Sequence, residues 1–578
     1  MWKRTSLRID RLVAVALAAA SALALSGACA GAQLTIERHP RRTVAIRRAS
    51  VPVTTGILAI GDNAWGQLGD PTTEGVGLVP TQVGNVTPLM NVVSVGAGAV
   101  HGIAAKSDGT LWTWGSDTDG QLGNGITYPN PYSPYFTPSQ VVGMSNVTAV
   151  AAGAFGSVAL KSDGTVWFSG YMYYNPAQSP YTFTRVAGMA NIQTISFGQS
   201  HIAALDSTGN VWTYGGGHYG ELGNGTSDVN AFSSTAVQVP GMSSVISVAA
   251  GYFHTVAAKS DGTVWAWGRN DCGQVGNGTV TPTPTNSPGE TGIVAPVQVS
   301  GLSNVVAVAA GGQFSMALKS DGSVWAWGSN AEGQLGISTA TAYSDVPVRV
   351  PGLPAVSAIA CGSAHSVAQL PGGTVWQWGS GGSPAPLAGV VQTVAIAAGG
   401  PAVDSGGPDS SPFTFVLATG ATVSGAVTFQ SYTGYNISAD DYLSLSFNFR
   451  PESSSAAFTR TLTVFVAGGS VSYTLIGVPI APYQIAFDSA KYLRKDVLAD
   501  ASTGAVTGVD ASLIPGDVNG DNVIDLTDFG LFAAAFGTSV FAYPPDGYNP
   551  DADLNGDGYV DLNDFGILAQ NFGLAGDP

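Results

Sequence analysis

Charge is scarce in this chain, and positive charge most of all. Charged residues make up 10% of the 578 positions, with 21 Lys and Arg against 38 Asp and Glu, a formal net charge of −17. A surface of that sign cannot release counterions from a phosphate backbone, which excludes nucleic acid as a partner. Cysteine is rarer still, at three residues, Cys29, Cys272 and Cys361. They fall in unrelated contexts, so no disulfide framework is available and the fold must rest on hydrophobic cores. After the N-terminus no apolar run reaches the length of a membrane-spanning helix, which leaves no membrane span to assign.

Glycine, by contrast, is abundant at 77 residues. Without a collagen period this means many tight turns and many short strands. At the N-terminus Lys3, Arg4, Arg8 and Arg11 precede an apolar stretch at 12–25, with Ala28 and Ala30 beyond it. This pattern is a secretory signal over 1–30 with cleavage after Ala30, followed by a basic leader over 31–56. Lipidation at Cys29 is the alternative end for the signal. Either way the chain is expected outside the cell or on its surface.

From residue 57 one unit recurs at intervals of roughly fifty residues, the mark of a repeat architecture. An Ala-rich strand ends in glycine, as at Gly98, Gly153, Gly198, Gly251, Gly311 and Gly362. A second strand follows, then an S-D-G turn of the kind a two-residue hairpin requires. The third strand carries tryptophan in alternation, as in Val264-Trp265-Ala266-Trp267. A G-Q-L-G turn closes the unit at Gly120, Gly220, Gly273 and Gly333, with Glu221 once in place of Gln. Small residues in the first strand point to a crowded axis, and four-strand units of this kind close radially. The region opens in mid-unit, at Trp65-Gly66-Gln67-Leu68-Gly69, and ends on a lone first strand at 394–399. Six whole blades and one composite blade make seven, over residues 57–405.

These elements resemble the regulator of chromosome condensation repeat family, whose members are seven-bladed propellers. The founder's nucleotide exchange on a small GTPase is not expected of an exported acidic chain. Secreted propellers of this type bind proteins through the loops of one face, and that is the function the resemblance implies. His101, His201, His254 and His365 each follow the repeat glycine by three residues. A residue recurring once per blade serves the blade, so a hydrogen bond to neighbouring backbone is expected, not a metal ring. No paired carboxylates, Ser-His-Asp set or phosphate loop stands out, and no catalytic residue is assigned. Candidate recognition residues lie where the repeat breaks: Tyr132 and Tyr135 in one Pro-rich insertion, Tyr171, Tyr173 and Tyr174 in the next. The alternative is that they only pack long loops down.

Residues 412–513 read as a β-sandwich of short alternating strands separated by Gly and Ser turns. The order V-S-G-A-V-T-F, then V-P-I-A-P-Y-Q-I-A-F, resembles carboxypeptidase regulatory-like or transthyretin-like modules, which implies a spacer. Over 515–578 the chemistry changes. From residue 516 onward there are eleven Asp and no Lys or Arg. Asp517, Asn519, Asp521, Val523, Asp525 and Asp528 have the spacing of a twelve-residue calcium loop, and so do Asp553, Asn555, Asp557, Tyr559, Asp561 and Asp564. Calcium takes six to eight oxygens, and Val523 and Tyr559 would contribute main-chain carbonyls. Two ions are expected. Each loop runs into an apolar helix, and the pair resembles a type I dockerin. In that family the tenth and eleventh loop positions select a cohesin partner; here they are Leu526, Thr527, Leu562 and Asn563. The whole reads as mainly β: propeller, sandwich, then a small helical calcium-binding module. Its expected role is a non-catalytic secreted binding protein. An accessory part in extracellular polysaccharide breakdown and inhibition of an extracellular enzyme remain as alternatives.

Overall fold

Repetition of one short sequence unit produces repetition of one four-stranded antiparallel sheet. The computed structural model describes residues 54–400, apart from 71–75, 85–87, 127–134, 174–179, 228–231, 282–291, 338–340, 380, 388–389 and 391. Beyond these it describes 412–429, 442–451, 458–465, 470–478, 482–489, 491–500, 505–506, 509, 511–513, 515–518, 523–536, 552, 554 and 559–575. The signal at 1–30 and the leader up to residue 53 lie outside the described residues, while 54–56, read as the end of the leader, open the strand Thr54–Asp62. The chain forms two units, residues 1–69 with 90–418, and residues 70–89 with 419–578.

The first unit is a seven-bladed propeller. Blade 4 shows the pattern: strands Val245–Ala250, His254–Lys259, Val264–Gly268 and Ile293–Gln298 pair antiparallel in sequence order. Blades 1, 2, 3, 5 and 6 repeat it over residues 92–140, 147–185, 192–238, 305–349 and 358–386. The S-D-G hairpin joins the second and third strands, its glycine at φ 81° in Gly262. Asp261 Oδ1 accepts from both the Thr263 N–H (2.9 Å) and its hydroxyl (2.6 Å), and Thr263 Oγ1 accepts from Trp265 Nε1 at 3.2 Å. Residues 108–112 and 163–167 make the same relay. The motif is therefore a self-contained turn, and its carboxylates are held below the usual range first by the Thr hydroxyl.

Blade 7 is composite. Thr393–Gly399 is its first strand and pairs with residues 413–418, which in turn neighbour Thr54–Asp62 from the start of the region. The second strand of this blade thus lies past Pro412, where the spelled repeats stop. It belongs to Phe413–Phe429, a strand whose later residues are part of the second unit.

Closure of the ring is visible at its axis. A Cβ built on Gly98, Gly153, Gly198, Gly251, Gly311, Gly362 or Gly399 would fall at most 2.7 Å from a carbonyl oxygen of the next blade: Gly153, Gly198, Gly251, Gly311, Gly362, Gly399 and again Gly98. Seven blades approach so closely there that only glycine fits. The cores lie between blades, where Val256, Ala258, Val264 and Ala266 of blade 4 pack on Val308, Ala317 and Trp327 of blade 5.

In the second unit, Tyr442–Pro451, Phe458–Phe465, Pro482–Ser489, Lys491–Asp500 and Pro515–Asp517 form a five-stranded sheet. Residues 421–429 pair antiparallel with Ser470–Val478 and parallel with Ala505–Val506 and Ala511–Leu513. Two helices follow, α1 at Leu526–Ala535 and α2 at Leu562–Asn571. Both start with a capping box, Asp525 with Asp528 and Asp561 with Asp564. Ile524, Phe532, Ala535, Leu554, Val560 and Leu568 form their common core. Among the described residues no helix is long and apolar enough to cross a membrane.

Candidate protein-binding face

Because adjacent strands run antiparallel, the first-to-second and third-to-fourth connections of every blade emerge at one end of the ring. The repeat histidines and the G-Q-L-G turns stand just beneath that face, and both turn out to join blades. His101 Nε2 lies 3.0 Å from Ser157 Oγ, His201 Nε2 2.7 Å from Thr255 Oγ1, His254 Nε2 2.9 Å from Ser315 Oγ and His365 Nε2 3.1 Å from Thr414 Oγ1. The partner is a hydroxyl on the next blade, not the backbone expected from sequence. The histidine is missing at Gly156, Phe314 and Phe413; the next blade then carries Ile202, Ser366 and Gly102, and Ser366 donates to the Gln334 carbonyl without a histidine partner. Thr255 and Ser315 in turn donate to the carbonyls of Glu221 (3.0 Å) and Gln274 (2.9 Å), which fixes His201 and His254 as Nε2–H donors. Burial lowers the histidines to about 3 (His101, His201) or about 4 (His254, His365). They remain neutral near pH 7, and they point to different blades, not to one centre.

The second tryptophan of the third strand completes the joint in blades 1, 4, 5 and 6. Trp114, Trp267, Trp327 and Trp378 donate their indole N–H to the carbonyls of Gln67, Glu221, Gln274 and Gln334 in the preceding blade, at 2.8–2.9 Å. The Gln or Glu side chain folds back on its own turn, as Gln274 Oε1 does in accepting from Cys272 N at 2.8 Å. The next residue enters the blade boundary: Leu68, Leu122, Leu222, Val275 and Leu335 are all buried. Blade 2 lacks the turn, and Met172, fully buried, fills the place instead. Ser200, His201 and Glu221 approach one another, with Ser200 Oγ donating to Glu221 Oε1 at 2.9 Å and lying 3.4 Å from His201 Nδ1. All three are fully buried, so this cluster cannot meet a substrate. Burial pushes the Glu221 carboxyl up to about 7, against the opposing hydrogen bonds from Ser200 and Tyr219.

The face itself carries a connected run of aromatic rings from blades 2, 3 and 4. Tyr171 and Tyr173 meet at 6.2 Å, Tyr173 and Phe253 at 5.9 Å, Tyr219 and Phe253 at 5.2 Å, and His218 and Tyr219 at 4.8 Å. The Arg269 guanidinium lies 5.2 Å from the Tyr219 ring and 5.7 Å from Phe253, and pairs with Asp271 at 2.6 Å. Tyr171, Tyr173, Tyr219 and Arg269 are half-buried at the surface, and they lie against His218 and Phe253, which are buried. The flanks of the buried Met172 therefore form one edge of an aromatic and cationic patch, the composition that interfaces favour. Tyr135 opens the outermost strand of blade 1, opposite Gly115, and belongs to that sheet. Tyr132 and Tyr174 lie outside the described residues. Sequence reasoning missed His218, Tyr219, Phe253 and Arg269. His218, Tyr219 and Arg269 are single departures at positions where sister blades vary, and Phe253 recurs only as Phe155; Arg269 alone carried a readable signal, as a charge where other blades have Ser116, Tyr171 or Ser329.

In the second unit, Asn519, Asp521, Asp553, Asn555, Asp557 and the Asp517 side chain lie outside the described residues. Asp528 and Asp564 are fully buried, and each accepts from the N–H of its N-cap residue, at 2.8 and 2.9 Å. Asp525 and Asp561 accept from Thr527 N and Asn563 N at 2.6 and 2.7 Å. Val523 and Tyr559 are exposed, as are Leu526 and Leu562 at the first turn of each helix, 75% and 73% accessible. Among the described residues no three His, Cys, Asp or Glu side chains gather as a metal site.

The RCC1-like domain matches residues 56–392. The E3 ubiquitin-protein ligase HERC2 of Homo sapiens is 29% identical over 331 residues, 56% of this chain but 6% of that protein's length. The mitochondrial RCC1 domain-containing protein RUG3 of Arabidopsis thaliana is 30% identical over 360 residues, covering 58% of this chain and 67% of its own. Among solved structures, Prp20p of Saccharomyces cerevisiae superposes with a TM-score of 0.53 at 21% identity, over 64% of this chain and 92% of its own.

Proposed function

Since the chain belongs to the RCC1-like domain family, we propose that it is a secreted, non-catalytic binding protein whose propeller recognises a protein partner through its loop-bearing face. The observation that carries this is the patch of half-buried Tyr171, Tyr173 and Tyr219 with Arg269, seated on the buried Phe253 and assembled from three blades where the repeat varies. Prp20p, a propeller of the same fold, binds Gsp1p and histones, which supports protein recognition as a use of this architecture. An acidic chain with a signal-like N-terminus makes an exported partner the reading we favour.

The tail is read as a second attachment point. The twelve candidate ligands of 517–564 are all oxygen donors, the chemistry that calcium selects. The buried Asp528 and Asp564 carboxylates are oriented by backbone N–H groups, which suits them to close a loop around a hard cation. Calcium would supply the positive charge that gathers the remaining carboxylates. The exposed Leu526, Thr527, Leu562 and Asn563 would then face a cohesin-like partner. The alternative, an accessory role in polysaccharide breakdown, rests on the dockerin resemblance and on aromatic rings that sugars could also use.

Affinity capture from the source's own secreted proteins tests the reading. Proteins lost on adding chelator would be held by the tail, and proteins lost on Tyr173→Ala with Arg269→Ala would be held by the propeller. Capture of polysaccharide by the unmodified chain, with no protein displaced by either change, would overturn it in favour of the alternative.

A further inference from the structure

Six of the seven blade boundaries are filled by one side chain of the preceding blade: Leu68, Leu122, Met172, Leu222, Val275 or Leu335, each buried. Among the described residues the boundary between blades 6 and 7 has no counterpart. In blade 6, Gly379 and Gly382 pair with each other, so two residues separate the third and fourth strands. A cavity of about 270 Å³ occupies the place of the missing turn, lined by Ile60, His365, Trp378, Phe413, Thr414 and Ala385 among others. Its rim, at Gly382, Ser383 and Ala385, is exposed.

The walls retain the chemistry that holds a G-Q-L-G turn elsewhere. In blades 4, 5 and 6 the hydroxyls of Thr255, Ser315 and Ser366 donate to the carbonyl of the turn's Glu or Gln, at 3.0, 2.9 and 2.8 Å. Thr414 occupies the same position in blade 7, is 1% exposed and lies 3.1 Å from His365 Nε2. With His365 protonated at Nε2, as His201 and His254 are, the Thr414 proton has no carbonyl partner among the described residues. Beside it the half-buried Ile60 stands where Trp114, Trp267, Trp327 and Trp378 stand in other blades, and this smaller side chain leaves the volume unfilled.

We propose that this slot is a docking site for a short turn of a protein partner that presents a branched aliphatic side chain next to a main-chain carbonyl. The aliphatic group would take the place that Leu335 takes one boundary earlier, and the carbonyl would accept from Thr414. A second copy of this chain is the poorer occupant, because its own G-Q-L-G turns are consumed within its ring. The site is separate from the aromatic patch of blades 2–4, so either can fail without the other.

The probe is a blocked peptide, Gly-Gln-Leu-Gly-Asn-Gly, the sequence of residues 120–125, labelled and titrated into the full chain by fluorescence anisotropy. Saturable one-to-one binding is expected, weakened at least about tenfold when the peptide Leu becomes Ala. Ala385→Trp, on the exposed rim, should obstruct the slot and weaken binding by a similar factor with an unchanged melting temperature. No saturation up to millimolar peptide would overturn the proposal, as would binding indifferent to both changes. Concentration-dependent dimerisation abolished by Ala385→Trp would overturn it in favour of self-association.

Discussion

Trp327 donates its indole N–H to the main-chain oxygen of Gln274 at 2.9 Å, across the boundary between two blades. The same oxygen accepts from the Ser315 hydroxyl, which accepts in turn from His254. One carbonyl thus gathers a tryptophan, a serine and, at one remove, a histidine. Losing this joint should be costly. Trp327→Phe keeps an aromatic ring but removes the hydrogen bond, and should destabilise by about 1–2 kcal/mol. Trp327→Ala also opens a fully buried volume and should cost about 3–5 kcal/mol. Guanidinium denaturation followed by fluorescence would read both.

The histidine array should make the propeller acid-sensitive. Burial lowers His254 from 6.5 to about 4, so below pH 6.5 the unfolded chain takes a proton that the folded chain refuses. Its contribution is fully present above 6.5 and is lost as pH falls toward 4, at about 1.4 kcal/mol per pH unit. Phe314 shows that Phe fits this position. His254→Phe should therefore flatten the fall in melting temperature between pH 7 and pH 5, measured by calorimetry, relative to the unmodified chain.

Glu221 should act in the opposite direction. Burial raises its carboxyl from 4.5 to about 7, so its stabilising contribution is complete below 4.5 and lost as pH rises through 7. Glu221→Gln installs the residue that sister blades use. It should stabilise the chain by up to about 3 kcal/mol at pH 8 and make little difference near pH 4.5. Denaturant midpoints at the two pH values would check this, and a variant equally stabilised at both would contradict the assigned cause.

Calcium titrated calorimetrically into the full chain should give two sites. Asp528→Ala and Asp564→Ala should each leave one, because the twelfth loop position supplies a carboxylate that no neighbour replaces. A chain that binds no calcium would remove the tail's proposed role while leaving the propeller intact.

Much of the ring was legible in its sequence, because each blade needs the same few residue types at the same places. The S-D-G turn, the paired tryptophans and the axial glycines all have one structural solution. Residues 413–418 were not legible as a blade strand because Phe413 replaces the histidine and no S-D-G turn follows, yet Thr414 keeps the hydroxyl that His365 needs. That pairing of histidine with hydroxyl one blade later is present in the sequence and could have identified the strand. The patch was only half legible. Tyr171 and Tyr173 stood out as an insertion, whereas Tyr219 and Arg269 are single changes whose meaning depends on three blades meeting at one face.

That recognition resides where the repeat fails, with the repeat serving as scaffold, is tested most directly by the affinity of one captured partner for three forms of the chain: unmodified, Tyr173→Ala with Arg269→Ala, and His254→Phe. The expected result is a loss of at least about tenfold in the second form and an unchanged affinity in the third, with all three folded at the assay temperature. Equal affinity in all three, or a loss confined to His254→Phe, would contradict it.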